Sequence, residues 1–213
     1  MKPESVLPCF GGWRLMEIVV AKSLDDINQI ALKELIERGF GKRLVEGYFN
    51  NIDPVAFFVA VNQKEDIKEG PYKGAIVIVD PHNPYSPGLN YADKMIVAEE
   101  HRGNGVFSTL WDEVKNYNPK LFWRAKKTNP ANELYKSIAG EPQITLPWNV
   151  YSIGLKRFER NWARNYAIAL PESLVMTDED GIDEKVTTSP IIIPGKMPQV
   201  PLSERVSGSS PSF

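Results

Sequence analysis

The chain is poor in the residues that most often advertise chemistry. It has one cysteine, Cys9, so neither an intrachain disulfide nor a cysteine-rich metal site can form, and a reducing compartment fits best. It has two histidines, His82 and His101, without paired spacing, which argues against zinc. No apolar run is long enough for a transmembrane helix. With 25 basic against 27 acidic side chains the formal net charge is −2, so no global field draws the chain to nucleic acid, and no membrane partner is expected. The opening residues 1–13 carry neither an apolar signal core nor an Arg-rich amphipathic pattern. Cytoplasm is the expected location, with the mitochondrion as the alternative because import signals can be cryptic.

What is present is an ordinary globular composition, 42% hydrophobic and 24% charged over 213 residues, enough for one domain with appendages. After an arm over 1–15, Met16 to Ala21 reads as a strand. Ser23 reads as the N-cap of a helix carrying Ile27, Ile30, Ala31 and Leu35. Gly39-Phe40-Gly41 interrupts the pattern, and a second helix is expected over Lys42 to Phe49. Pro54 to Val61 and Tyr72 to Val79 are β-rich and apolar and read as a hairpin of buried strands, followed by a proline-rich loop over 80–88. Further strands are expected at Met95 to Val97, Leu121 to Lys126 and Trp148 to Leu155, and helices after Gly105 and over Ala131 to Ile138. The sum is a mixed β-sheet flanked by helices, an α/β domain over 16–157. Residues 158–170 suit one more amphipathic helix through Phe158, Trp162, Tyr166 and Leu170. Residues 171–213, with Asp178-Glu179-Asp180, scattered prolines and a Ser/Gly-rich end, predict an extended or disordered tail. Within it Ile191-Ile192-Ile193 suits an edge strand or a docking segment for a protein partner.

The most informative stretch is 93–135. An apolar strand, Met95-Ile96-Val97, leads into Arg102-Gly103-Asn104-Gly105, and a helix follows with Phe107, Leu110, Trp111 and Val114 at i, i+3, i+4, i+7. Backbone N–H groups of a glycine turn and of a helix start can together cradle a pyrophosphate. The loop lacks the Gly-Lys-Ser/Thr of a Walker motif and the third glycine of a Rossmann fingerprint. It resembles the Arg/Gln-x-x-Gly-x-Gly/Ala loop of the GCN5-related N-acetyltransferases. That resemblance implies acetyl-CoA as cosubstrate, held by Met95, Ile96, Val97, Arg102, Gly103, Asn104 and Gly105, with no metal. Phe107 departs from the family pattern, which has a small residue there.

Further on, Leu121-Phe122-Trp123-Arg124-Ala125-Lys126-Lys127-Thr128-Asn129-Pro130, with Tyr135 beyond, is similar to the substrate strand and loop of the eukaryotic-type N-acetylglutamate synthases. Asp93-Lys94 and Phe40-Gly41-Lys42-Arg43-Leu44 with Tyr48-Phe49 extend the likeness over roughly 16–155. L-glutamate, or a similar amino acid, is the implied acceptor. The residue chemistry suits it. Arg124 and Lys126 share one side of a strand, so Arg124 offers a planar fork to one carboxylate while Lys126 and Lys94 serve the other. Asn129 can accept from an ammonium and donate to a carboxylate. The same residues also suit ordinary ion pairs and a turn before a helix, and Tyr135 also suits simple packing. Direct attack of the amine on the thioester is expected, since no Ser or Cys sits in a nucleophile motif. The resemblance implies polarisation by backbone N–H groups around Ile96 and Val97, and Tyr135 as the acid that protonates the thiolate. Asp93, Glu99, Glu100 and His101 are the candidates for the base.

Two departures shape the functional expectation. The family sets an amino-acid-kinase domain before this one, while about fifteen residues precede the first strand here, so a free-standing domain is expected and the family's arginine sensitivity is not carried over. Lys126 stands where the family has Arg. The alternatives are acetylation of another amino acid or small amine, and a weakly catalytic CoA-binding regulatory paralogue. A homodimer follows by analogy alone.

Overall fold

Continuous apolar runs make the centre of the sheet. In the computed structural model, which describes residues 16–63 and 65–176, β3 (Pro54–Asn62) and β4 (Gly74–Val79) bury Phe57, Phe58, Val59, Ile76, Val77 and Ile78 on both faces. Such strands must be covered on both sides. They pair antiparallel, as the hairpin pattern predicts. The arm 1–15 with Cys9, and 177–213 with Ile191–Ile193, lie outside the described residues.

β1 (Met16–Ala21), β5 (Leu89–Val97), β6 (Lys120–Lys126), β7 (Gln143–Thr145) and β8 (Trp148–Ile153) complete a seven-stranded sheet of order β1-β3-β4-β5-β6-β8-β7. β5 and β6 are its parallel neighbours; the other pairs are antiparallel. Helices flank both faces. On β6, Trp123 meets Trp111 of α2 (Val106–Tyr117) at 5.2 Å and Tyr135 of α3 (Asn132–Ala139) at 5.8 Å between ring centres. The preceding Phe122 meets Trp162 and Tyr166 of α4 (Arg157–Ala169) at 6.3 and 5.7 Å. Adjacent strand residues point to opposite faces, so α2 and α3 lie on one side and α4 on the other.

Four expectations need correction. Ser23 caps a single 3-10 turn, Leu24–Asp26, because Ile27 is extended; α1 (Gln29–Phe40) starts instead behind Asn28, whose side chain accepts the Ala31 N–H at 3.0 Å. No helix forms over Lys42 to Phe49. Arg43–Leu44 is a strand, β2, paired with β9 (Leu174–Val175), and Gly47 at φ 69° separates it from a 3-10 turn at Tyr48–Asn51. Residues 171–176, expected in the tail, therefore lie on the domain. The buried side of α4 is Glu159, Ala163, Tyr166 and Ala167 rather than a stripe through Phe158, which is 54% exposed; the two alanines let the helix lie close to the sheet.

α4 is anchored at its start by a buried carboxylate. Glu159 accepts from Lys120 Nζ (2.8 Å), Ser86 Oγ (2.5 Å) and the Lys156 N–H (2.6 Å). These bonds, that from Lys120 foremost, lower its pKa to about 2.

Candidate active site

β5 and β6 pair only over Leu89–Tyr91 and Lys120–Phe122, although β5 continues to Val97 and β6 to Lys126. Beyond that point they form a wedge through the sheet. The Ala98 N–H donates to Lys73 O at 2.9 Å on the β4 side, so by strand alternation Met95 and Val97 turn their N–H and C=O groups toward the wedge. Ile96 turns its backbone toward β4, which removes it from the expected backbone cradle. Its side chain fills the space left by Gly39, where a Cβ would stand 2.3 Å from Ile96 Cδ1.

The loop after β5 is exposed and short of side-chain capping. Gly103 and Gly105 adopt φ 78° and 75°, and Gly105 is the N-cap of α2 without a capping side chain. Positive φ is the reason for glycine at both positions. The first-turn N–H groups of α2 have no intrahelical acceptors, so the loop fits a diphosphate. Arg102 braces it, donating from Nε to Val97 O and from Nη2 to Gly39 O, both at 3.3 Å. Asn104 donates its N–H to His101 O at 3.3 Å. Phe107 lies along the helix, stacked on Trp111 with ring centres 6.1 Å apart, so its bulk joins the core.

On the α4 side the three expected cations converge, and each has a partner. Asp93 is skipped where β4 and β5 shift register, a bulge that lets Asp93 and Lys94 act on the same side. Lys94 Nζ donates to Asp93 Oδ2 (2.6 Å) and Ser173 Oγ (2.8 Å) and lies 4.7 Å from the centre of the Tyr48 ring. Tyr48 donates its hydroxyl to the same Asp93 oxygen at 2.5 Å. Burial lowers the Lys94 pKa and Asp93 opposes the shift; burial and then Asp93 raise that of Tyr48. Arg124 does share a side with Lys126, and both cations lie over Trp148, at 4.1 and 5.5 Å. Its Nη1 donates to Ala167 O (2.6 Å) and Leu170 O (2.5 Å), and its Nη2 to Pro171 O (2.7 Å). Arg124 therefore caps the C-terminus of α4, where a cation is favoured by the helix dipole. Lys126 Nζ pairs with Glu172 at 2.9 Å. A pocket of about 630 Å³, counting its open mouth, is bordered by Asp93, Tyr48, Tyr91 and residues 170–173.

Tyr135 stands on the other face, buried between Trp123 and Tyr151. Burial raises its pKa to about 12, so it stays protonated at neutral pH. Asn129 begins the turn into α3: its Oδ1 accepts the Ala131 N–H at 2.8 Å, which occupies the acceptor end expected to meet an ammonium. The buried Asn132, which the sequence did not single out, ties the loop down by donating to Lys126 O (3.0 Å) and Lys127 O (2.9 Å) while accepting from Tyr151 Oη (3.0 Å). Of the base candidates, Asp93 lies within the cation cluster, while Glu99, Glu100 and His101 form a 3-10 turn before the glycine loop. Tyr48, Trp148, Glu172 and Ser173 were also unforeseen; only Tyr48, quoted in the family likeness, left a signal. Among the described residues no group of three His, Cys, Asp or Glu is placed to hold a metal, and no helix is long and apolar enough to cross a membrane.

A mixed sheet opened by a wedge between parallel strands, with a glycine loop leading from it into a helix, is the GCN5-related N-acetyltransferase fold. The family model for the N-acetyltransferase (NAT) of N-acetylglutamate synthase matches residues 19–156, and the chain belongs to that family. Mitochondrial N-acetylglutamate synthase of Mus musculus is 29% identical over 160 residues, 75% of this chain and 29% of that protein. The Homo sapiens protein of the same name is 29% identical over 153 residues, 71% of this chain and 27% of that one. A protein named acetylglutamate kinase from Xanthomonas campestris is 29% identical over 67% of this chain and 32% of its own length. The chain thus aligns with about a third or less of these relatives. Among solved structures, PH1933 from Pyrococcus horikoshii OT3 superposes with a TM-score of 0.46 at 18% identity, covering 66% of this chain and 99% of that one. Arabidopsis thaliana Naa50 in complex with a bisubstrate analogue gives 0.46 at 18%, covering 65% and 99%.

Proposed function

We propose that this domain transfers the acetyl group of acetyl-CoA to the amine of L-glutamate. The observation that carries the reading is the convergence of Lys94, Arg124 and Lys126 on one side of a wedge whose other side holds Tyr135 and the glycine loop. A dicarboxylate needs cations at its acceptor site, and a diphosphate needs unpaired N–H groups at its own. Gly103, Asn104, Gly105 and Arg102 would hold the coenzyme, and the wedge-facing groups of Met95 and Val97 would meet its pantetheine arm and thioester. Acetyl-CoA supplies the activated carbonyl; this chain orients the two reactants, N–H groups at the wedge polarise that carbonyl, and the Tyr135 hydroxyl supplies the proton for the departing sulfur. The ammonium gives one proton to a base near Asp93 and the amine attacks directly; the C–N bond forms as the C–S bond breaks, and the second nitrogen proton leaves through solvent, which returns a proton to Tyr135.

A second reading, in which the acceptor is a different amine, is favoured by one observation: the Arg124 fork is already engaged by three carbonyls. One experiment separates the two. Purified protein is assayed for thiol release from acetyl-CoA against glutamate, aspartate, other amino acids and polyamines. Release that depends on glutamate supports the first reading. Release with another amine and none with glutamate replaces it with the second, and silence across the panel with coenzyme bound points to a regulatory paralogue.

A further inference from the structure

Four consecutive residues, 170–173, each deliver an oxygen to a cation of the acceptor site. Leu170 O and Pro171 O go to Arg124, a carboxylate oxygen of Glu172 goes to Lys126, and Ser173 Oγ goes to Lys94. All four lie beyond residue 156, where the family match ends. The segment is held at one end by α4 and at the other by β9, where Ser173 O accepts the Val45 N–H at 3.1 Å and Leu174 and Val175 pair with Leu44 and Arg43.

We propose that residues 170–173 form a pseudosubstrate strap. Its oxygens satisfy the same cations that would hold the carboxylates of the acceptor, and Glu172 presents a carboxylate to Lys126 as glutamate would. The proposal rests on the glutamate reading of the site. Carboxylate acceptors must then displace the strap, so Glu172 sets how readily they bind. The Lys126–Glu172 pair is the part suited to opening: its side chains are 42% and 45% exposed, and an exposed ion pair is weak and screened by salt. Lys94, 4% exposed, is reached only once Ser173 has moved or exchanged its hydroxyl for the ligand. The strap is bound to β2 by a two-residue ladder, which a small displacement can release.

Two measurements on the full chain test this. In steady-state assays Glu172→Gln should lower KM for glutamate several-fold, leave KM for acetyl-CoA unchanged, and leave KM for an uncharged amine unchanged if one is turned over. An unchanged or higher KM for glutamate overturns the strap. The second measurement needs no turnover. Glutarate, a dicarboxylate of the same chain length without an amine, is added to the wild-type protein while amide hydrogen exchange is followed at residues 43–45 and 173–175, against sodium chloride of equal ionic strength. Glutarate should speed exchange at both segments beyond the salt control. Exchange unmoved by glutarate overturns the strap even if glutamate is acetylated. Faster exchange with no glutamate-dependent thiol release overturns the acceptor reading and leaves the strap as a carboxylate-competitive element.

Discussion

The coenzyme side of the wedge and its acceptor side are built on different plans. The first comes from a single run of chain, 95–105, and its loop is exposed, with glycine at the helix cap in place of a polar side chain. The second joins cations from two strands to oxygens 43 to 79 residues further along. A surface made by local geometry is ready for its ligand, whereas one made by long-range pairing already holds an occupant. That difference predicts that removing Arg124 from the acceptor side disturbs the fold, while a change in the glycine loop disturbs coenzyme binding.

Arg124→Ala gives the largest expected effect. It removes three charge-assisted bonds and the cap of α4, so a loss on the order of 4 kcal/mol is expected, a fall in Tm of roughly 10 °C. A thermal melt checks this; a normal Tm with only a raised KM for glutamate would make Arg124 a substrate clamp alone. Next is Glu159→Gln, at the start of the same helix, with an expected loss of roughly 3 kcal/mol at neutral pH from breaking a buried pair. Because the folded pKa is depressed, to about 2 against an ordinary 4.5, this stabilisation is complete above about pH 4.5 and fades as pH falls toward 2. Denaturant titrations between pH 7 and pH 2.5 should show that slope in the wild type and a shallower one in the variant.

The comparison also explains what could be read from the sequence. Arg124 and Lys126 were placed on one side because strand alternation is local, and Leu110, Trp111 and Val114 were placed in the core because helical spacing is local. Arg43–Leu44 reads as helix in the sequence because its strand conformation depends on Leu174 and Val175, far along the chain. The bulge at Asp93 had no composition signal, since one extra residue leaves the apolar pattern of β5 nearly intact. Phe107, which departs from the family pattern, proved compatible with the loop through stacking on Trp111, a contact one helical turn away. The occupant of the cations was invisible, because Leu170, Pro171, Glu172 and Ser173 form no motif and two of them act through backbone carbonyls.

Smaller effects fall on the face opposite the cations. Tyr135→Phe keeps the packing against Trp123 and Tyr151, so kcat should fall on the order of 100-fold with little change in Tm. Equal turnover would remove Tyr135 as the acid. With its pKa pushed up to about 12, Tyr135 keeps its proton through pH 9, and a fall in kcat below that pH belongs to another group. Gly105→Ala forces a Cβ into φ 75°, at a cost of about 1–2 kcal/mol that should appear chiefly as a several-fold higher KM for acetyl-CoA.

Titration calorimetry tests the contrast between the two sides most directly, with acetyl-CoA and glutamate each added alone to the wild type and to Glu172→Gln. The prediction is an acetyl-CoA affinity common to both proteins and a glutamate affinity several-fold tighter in the variant. Glutamate binding equally to both, or both ligands shifting together, would contradict an open coenzyme side beside a strapped acceptor side.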